Sequence, residues 1–229
     1  MAEARLEDSG FGLAPAGDGW FVVNVREAEW WVSKAFGSGV GFESREFAFP
    51  QLGINLSVVE AGEWNCLYHA ENQQEAFLVL SGECKLLVDG EERLLRAWDF
   101  FHCPAGTEHV FVGAGDGPCV ILMVGACSED EQLFYPVSEL AARCGASAEA
   151  TTPDAKQAYA PFRVLGPAAL ELTPCGGAAR GPGAKAAEAR PGSAPMSRPR
   201  AAGMSTATRT CLRRASRASS RVATSASAP

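Results

Sequence analysis

The sequence predicts an all-β fold, a single sandwich or barrel followed by one short helix and a tail of different character. Three observations carry this reading. Apolar and β-branched runs recur from Trp20 to Val124 with turn residues between them, at a spacing of roughly 8–12 residues. Asp89-Gly90 stands between two such runs, and a type I′ hairpin turn needs two residues that tolerate positive φ. After Phe162 no aromatic residue occurs as far as Pro229, so nothing large is left to build a second core.

Residues 1–17, rich in glycine, alanine and acidic side chains, read as a flexible lead-in. Trp20–Val25 (WFVVNV) reads as a strand because it is aromatic and β-branched; Glu29–Val32 is either a turn or a strand. Gln51–Glu60 alternates well enough for a further strand. The densest signal follows. Ala76–Leu80 stops at Ser81-Gly82, Cys84–Val88 meets Asp89-Gly90, and Glu91–Leu95 returns. Trp98–Cys103 ends at Pro104, His109–Val112 ends in a Gly/Asp/Pro cluster, and Cys119–Val124 closes the series. Pro136–Cys144 reads as a helix with Ser138 as its N-cap and Gly145 just past its end. The boundaries expected are therefore 18–128 for the β-domain, 129–163 for a helical or irregular extension, and 164–229 for a disordered tail rich in Ala, Arg, Ser and Pro.

The 229 residues allow one domain with tails. The net charge of −7 divides unevenly: residues 1–173 carry 10 basic and 26 acidic side chains, whereas residues 174–229 carry 10 basic side chains and Glu188 alone. An acidic body argues against nucleic-acid binding, which needs a basic surface. The tail has no dense Lys/Arg block and no aromatic for base stacking; it is either a disordered extension or the product of reading a GC-rich gene out of frame. No apolar run approaches the ~20 residues of a membrane span. The opening MAEARLEDSGFG lacks the apolar core of a secretion signal, so a cytoplasmic protein with reduced thiols is expected. No two of the eight cysteines are spaced as CxxC, and Cys84, Cys103 and Cys119 lie in or beside apolar runs as small hydrophobes.

Two polar clusters interrupt the apolar strands. The first is His69-Ala-Glu71-Asn-Gln-Gln-Glu75, followed by Gly82; the second is Pro104-Ala-Gly106-Thr-Glu-His109. His69, Glu71 and Glu75 share parity with Phe77 and Val79. On an unbroken strand, one face would then carry polar ligand types followed by apolar filler. Pro104 and Gly106 make a turn able to aim His109 into the same space. These stretches resemble the two motifs of the cupins. The P-x-G-x-x-H core of the second motif is present in full, while Trp98 stands for its leading glycine and Gly113 for its closing asparagine. In the first motif Glu75 and Gly82 fit, His69 falls on the first histidine, Glu71 replaces the second, and Gly62 lies one residue too far upstream.

The resemblance runs from about Leu52 to Val124 and implies a double-stranded β-helix, or jelly-roll, barrel. It also implies a divalent metal held by His69, Glu71, Glu75 and His109, and a small-molecule ligand. Two imidazoles with two carboxylates suit Fe, Mn or Ni and still permit Zn; alternatively Glu71 points away and three ligands remain. The functions implied are a metal-dependent dioxygenase, decarboxylase or sugar isomerase. The alternatives are a non-catalytic ligand-binding or sensing protein and a structural barrel with a degenerate site. His102, outside both motifs, is expected to be structural, and Trp64 and Trp98 to pack in the core or at its rim. Pairing into a homodimer through an exchanged strand such as Trp20–Val25 is a further expectation.

Overall fold

The computed structural model describes residues 1–33, 36–43 and 48–162. The tail expected at 164–229 lies outside the described residues. Two sheets form the body. The larger has six strands in the order β10-β7-β12-β5-β4-β3: β3 is Trp30–Ser33, β4 Gly37–Gly41, β5 Leu52–Val59, β7 Glu75–Ser81, β10 Phe100–Cys103 and β12 Cys119–Ala126. The smaller runs β11-β8-β9, with β8 Glu83–Val88, β9 Glu91–Arg96 and β11 His109–Ala114. Every pairing within these sheets is antiparallel.

Alternation along the strands explains why the sheets face each other. Val59, Phe77, Val79, Ile121 and Met123 from the larger sheet share one buried cluster with Cys84, Leu86 and Phe111 from the smaller. Intervening residues Leu87, Val110 and Val112 point the other way, into a second cluster built with Trp64, Tyr68, Tyr135, Ala141 and Tyr159. Buried on both faces, β11 therefore reads as the unbroken run His-Val-Phe-Val rather than as a polar/apolar alternation. The β8–β9 hairpin turns where expected, with Asp89 at φ 46° and Gly90 at φ 80°.

Beyond β12, the strand β13 (Leu133–Phe134) pairs with β6 (Ala70–Glu71). Helix α1, Glu139–Ala142, starts on Ser138, whose side chain accepts a hydrogen bond from the Ala141 amide. Gly145 follows it at φ 76°. A second short helix, α2 (Ala155–Ala158), is capped by Asp154. Both helices bury alanines in the second cluster, so the extension forms a third layer over β8 and β11.

Three sequence expectations are corrected. Residues 5–16 form a hairpin, β1 (Arg5–Asp8) with β2 (Leu13–Ala16), where a loose lead-in was expected. Trp20–Val25 is not a strand: Trp20 is 53% and Val22 76% exposed, and Asn24 turns the chain by accepting hydrogen bonds from the Arg26 and Glu27 amides. The outer strand of the six-stranded sheet is instead β3. Finally, Trp98 packs in neither core nor rim. Its side chain is 77% exposed and its backbone sits at φ 75°, the left-handed conformation that the glycine of the resembling motif adopts without strain.

Trp98 thus incurs a steric cost of roughly 1–2 kcal/mol and gains little burial in return. Replacing it by glycine removes that cost but adds freedom to the unfolded chain, about 0.5–1 kcal/mol. We expect Trp98→Gly to stabilise the protein by ~0.5–1 kcal/mol and to raise the melting temperature by a few degrees. A lower melting temperature in calorimetry would show that the indole has a packing role.

Candidate metal centre

The two polar clusters meet because His69 and His109 form a two-residue antiparallel bridge. The His69 amide donates to the His109 carbonyl at 3.1 Å, and the His109 amide donates back to the His69 carbonyl at 2.8 Å. Gly106, at φ 83°, completes the turn that brings His109 there, and its amide donates to the Glu71 carbonyl at 2.7 Å. The second motif is thereby tied to the first through backbone alone. Glu75 arrives separately, as the first residue of β7. The chain breaks strand geometry between Glu71 and Glu75, so the single ligand-bearing strand expected from parity is divided between the two-residue β6, with His69 just before it, and the seven-residue β7. The parity still delivers the carboxylate, since Glu75 and Phe77 line the same cavity.

Each imidazole is held by one nitrogen and offers the other. His69 Nδ1 lies 2.8 Å from the Leu67 carbonyl and His109 Nδ1 lies 3.2 Å from that of Thr107. A carbonyl can only accept, so both Nδ1 atoms carry the proton and both Nε2 atoms present a lone pair when the rings are neutral. Those Nε2 atoms face carboxylates: His69 Nε2 is 3.6 Å from Glu71, and His109 Nε2 is 3.5 Å from Glu75. Ligand atoms of His69, Glu75 and His109 all lie within 4.8 Å of one another. Glu71 lines the same cavity beside His69 but is not part of that tight trio.

The electrostatics are those of a site crowded with negative charge. Burial, reinforced by Glu71 and Glu131 and offset by His69, pushes the Glu75 carboxyl up to about 8. Burial and the neighbouring His69 push His109 down to about 3. Burial opposes a charge on His69, but Cys66 and Glu71 outweigh it and hold that imidazole well above the ordinary histidine value. Both shifts favour the protonated forms of Glu75 and His69 when no metal is bound, and a divalent cation can replace those protons. The donor set and this charge pattern fit such an ion.

Around the trio is a partly enclosed cavity of about 90 Å³. Its wall includes residues that sequence reasoning did not single out: Trp31, Glu43, Asn55, Ser57, Glu131 and Tyr135. Glu131 comes from a polar stretch after β12 with no motif around it, so no local signal distinguishes it. Cys66 and Cys103 stand 3.5 Å from Nδ1 of His69 and His109 respectively. Burial pushes the Cys103 thiol up to about 12, so it is an inert packing group, as the apolar context suggested. His102 is exposed on β10 and does not line the cavity. Trp64 is buried in the second cluster, as expected.

Comparison with known families bears on the same residues. The family described as "Cupin domain" matches residues 55–125, the stretch that carries Glu71, Glu75 and His109. Residues 55–125 form a cupin-type domain. Among solved structures, the chain is similar to a sugar phosphate isomerase from Silicibacter pomeroyi at 28% identity, over 44% of this chain and 66% of that one, with a TM-score of 0.39. It is also similar to a polyketide cyclase from Streptomyces resistomycificus at 16% identity, over 47% and 79% of the two chains, with a TM-score of 0.41. A Cupin 2 conserved barrel domain protein from Salinispora arenicola aligns at 20% identity over 39% and 75%, with a TM-score of 0.36. The chain thus spans just under two thirds of the Silicibacter protein. No curated protein sequence matches the chain. Among the described residues no helix is long and apolar enough to cross a membrane.

Proposed function

We propose that this cupin holds one divalent transition metal, Fe, Mn, Ni or Zn, on His69, Glu75 and His109, with Glu71 as a fourth ligand. The same cavity takes a small polar organic molecule. The observation that carries the reading is the orientation of the two buried histidines. Both rings spend Nδ1–H on a backbone carbonyl and turn Nε2 toward a carboxylate. A bound divalent ion supplies Lewis acidity toward ligand oxygens, the chemistry used in dioxygenation, decarboxylation and sugar isomerisation. The chain's own residues fix the rings, and Phe77, 5.1 Å from His109 between ring centres, keeps that side of the site apolar.

Elemental analysis of protein purified without added metal tests this. Close to one equivalent of transition metal is expected, lost in His109→Ala with the β-rich circular dichroism retained. Glu71→Gln is expected to keep the stoichiometry and weaken affinity by on the order of 10-fold; an unchanged affinity and metal preference would remove Glu71 from the ligand set. Oxygen uptake and turnover on a panel of sugars and carboxylic acids separate catalysis from binding alone.

A further inference from the structure

The inner face of the larger sheet is arranged in rows of directly paired residues, and directly paired residues in antiparallel strands share a face. One row runs Trp31, Gly39, Ser57, Ile121, Val79. The next runs Gly41, Asn55, Met123, Phe77, Phe101. The third runs Gly53, Gly125, Glu75, Cys103. In the first two rows the sheet is filled by Phe77, Met123 and Ile121, whereas in the row of Glu75 it is floored by Gly125, directly beside it, and then Gly53.

Those two glycines lack the usual structural reasons for being glycine. A Cβ on Gly39 would come within 2.2 Å of the Trp31 ring, and one on Gly113 within 2.1 Å of the Glu60 carbonyl, so both are sterically required. At Gly125 the nearest atom to a Cβ is Glu75 Cγ at 3.8 Å, and at Gly53 it is Cys127 Sγ at 3.9 Å; neither residue has a left-handed backbone. Alanine fits at both. Glycine inside a strand weakens it, so what these positions contribute is the open volume above them, and both line the cavity.

We propose that Gly125, directly beside Glu75, and Gly53, the next residue in the row, are the floor of the organic ligand's seat, and that the seat takes a compact, non-anionic molecule bearing hydroxyl or carbonyl oxygens. This deepens the metal-and-ligand reading of the same cavity and rests on it. The size follows from the volume: at ~10–15 Å³ of free space per water, about 90 Å³ holds roughly six to nine waters or a molecule of similar size. The oxygens follow from the far wall. Trp31 Nε1 and Ser57 Oγ are buried in one row with no hydrogen-bond partner among the described residues, and an indole nitrogen can only donate. That the molecule is not an anion follows from Glu43, Glu71, Glu75 and Glu131 in the lining, which oppose negative charge.

The test uses Gly125→Ala and Gly53→Ala in the full chain, with dihydroxyacetone as the probe. Binding is read by saturation-transfer NMR and, on the cobalt(II)-loaded protein, by its visible spectrum. Both variants are expected to bind cobalt(II) as the parent does, to melt at the same or a higher temperature, and to bind the probe at least 10-fold more weakly. Dihydroxyacetone phosphate is expected to bind the parent at least 10-fold more weakly than dihydroxyacetone. Unchanged probe affinity in both variants, no probe binding to the parent, or preference for the phosphate would each overturn the proposal. A parent that takes up no cobalt(II) yet binds the probe by NMR, with that binding lost in the variants, would remove the metal reading and leave the glycine seat standing.

Discussion

Adding a divalent metal ion to metal-stripped protein at neutral pH is expected to release about two protons per ion and to reverse the pH dependence of stability. The sign follows from each group. Glu75 is raised from 4.5 to about 8, so its contribution to stability is full below 4.5 and is lost as pH rises through 8. His69, raised above 6.5, acts in the same direction. His109, lowered from 6.5 to about 3, contributes above 6.5 and loses that contribution as pH falls toward 3. Between 6.5 and 8 only the first two change, so the melting temperature of the stripped protein falls as pH rises across that window. Metal binding requires the deprotonated ligands, and the loaded protein becomes more stable over the same interval. Calorimetry on stripped and loaded samples reads both slopes, and a pH indicator counts the protons. A stripped protein whose melting temperature rises from pH 6.5 to 8 would sink this account. Glu75→Gln is expected to flatten the stripped slope and to lower the proton count.

How much of this was legible in the sequence depended on whether the signal was local. The hairpin at Asp89-Gly90 and the helix start at Ser138 are local backbone chemistry, and both appear where expected. His69, Glu75 and His109 were legible because motif spacing and strand parity agree, even though the chain bends between Glu71 and Glu75. Trp20–Val25 misled because apolar, β-branched composition says nothing about whether a neighbouring strand is there to pair with it. Residues 146–162 gave no periodic pattern. Their alanines and one tyrosine matter through contacts with distant parts of the chain, such as the hydrogen bond from the Leu67 amide to Tyr159 across 92 positions. The same limit hid Trp31, Ser57 and the paired glycines. Their meaning lies in cross-strand rows, which no single stretch of sequence displays.

Tyr159 is where that long-range dependence should have its largest effect. Its ring meets Phe36 at 5.3 Å and Tyr135 at 5.7 Å between centres, both edge-on. Its hydroxyl accepts the buried Leu67 amide at 2.9 Å. The Leu67 carbonyl in turn accepts from Nδ1 of His69, so Tyr159 is a positioning residue that acts on the site through the backbone of one residue, Leu67. Tyr159→Ala leaves a cavity in the second cluster and an unpartnered buried amide, and is expected to cost ~3–5 kcal/mol in urea denaturation. Tyr159→Phe keeps the ring and deletes only the hydroxyl, so a cost of ~1–3 kcal/mol is expected from the stranded Leu67 amide. Metal affinity separates positioning from packing. With the Leu67 backbone freed, the His69 ring loses its fixed orientation, and Tyr159→Phe is expected to weaken metal binding by on the order of 10-fold. A control such as Phe36→Leu, which disturbs the same aromatic cluster without touching Leu67, should lower stability and leave metal affinity near the parent value. Equal losses of metal affinity in the two variants would mean that Tyr159 acts on the site only through the stability of the cluster.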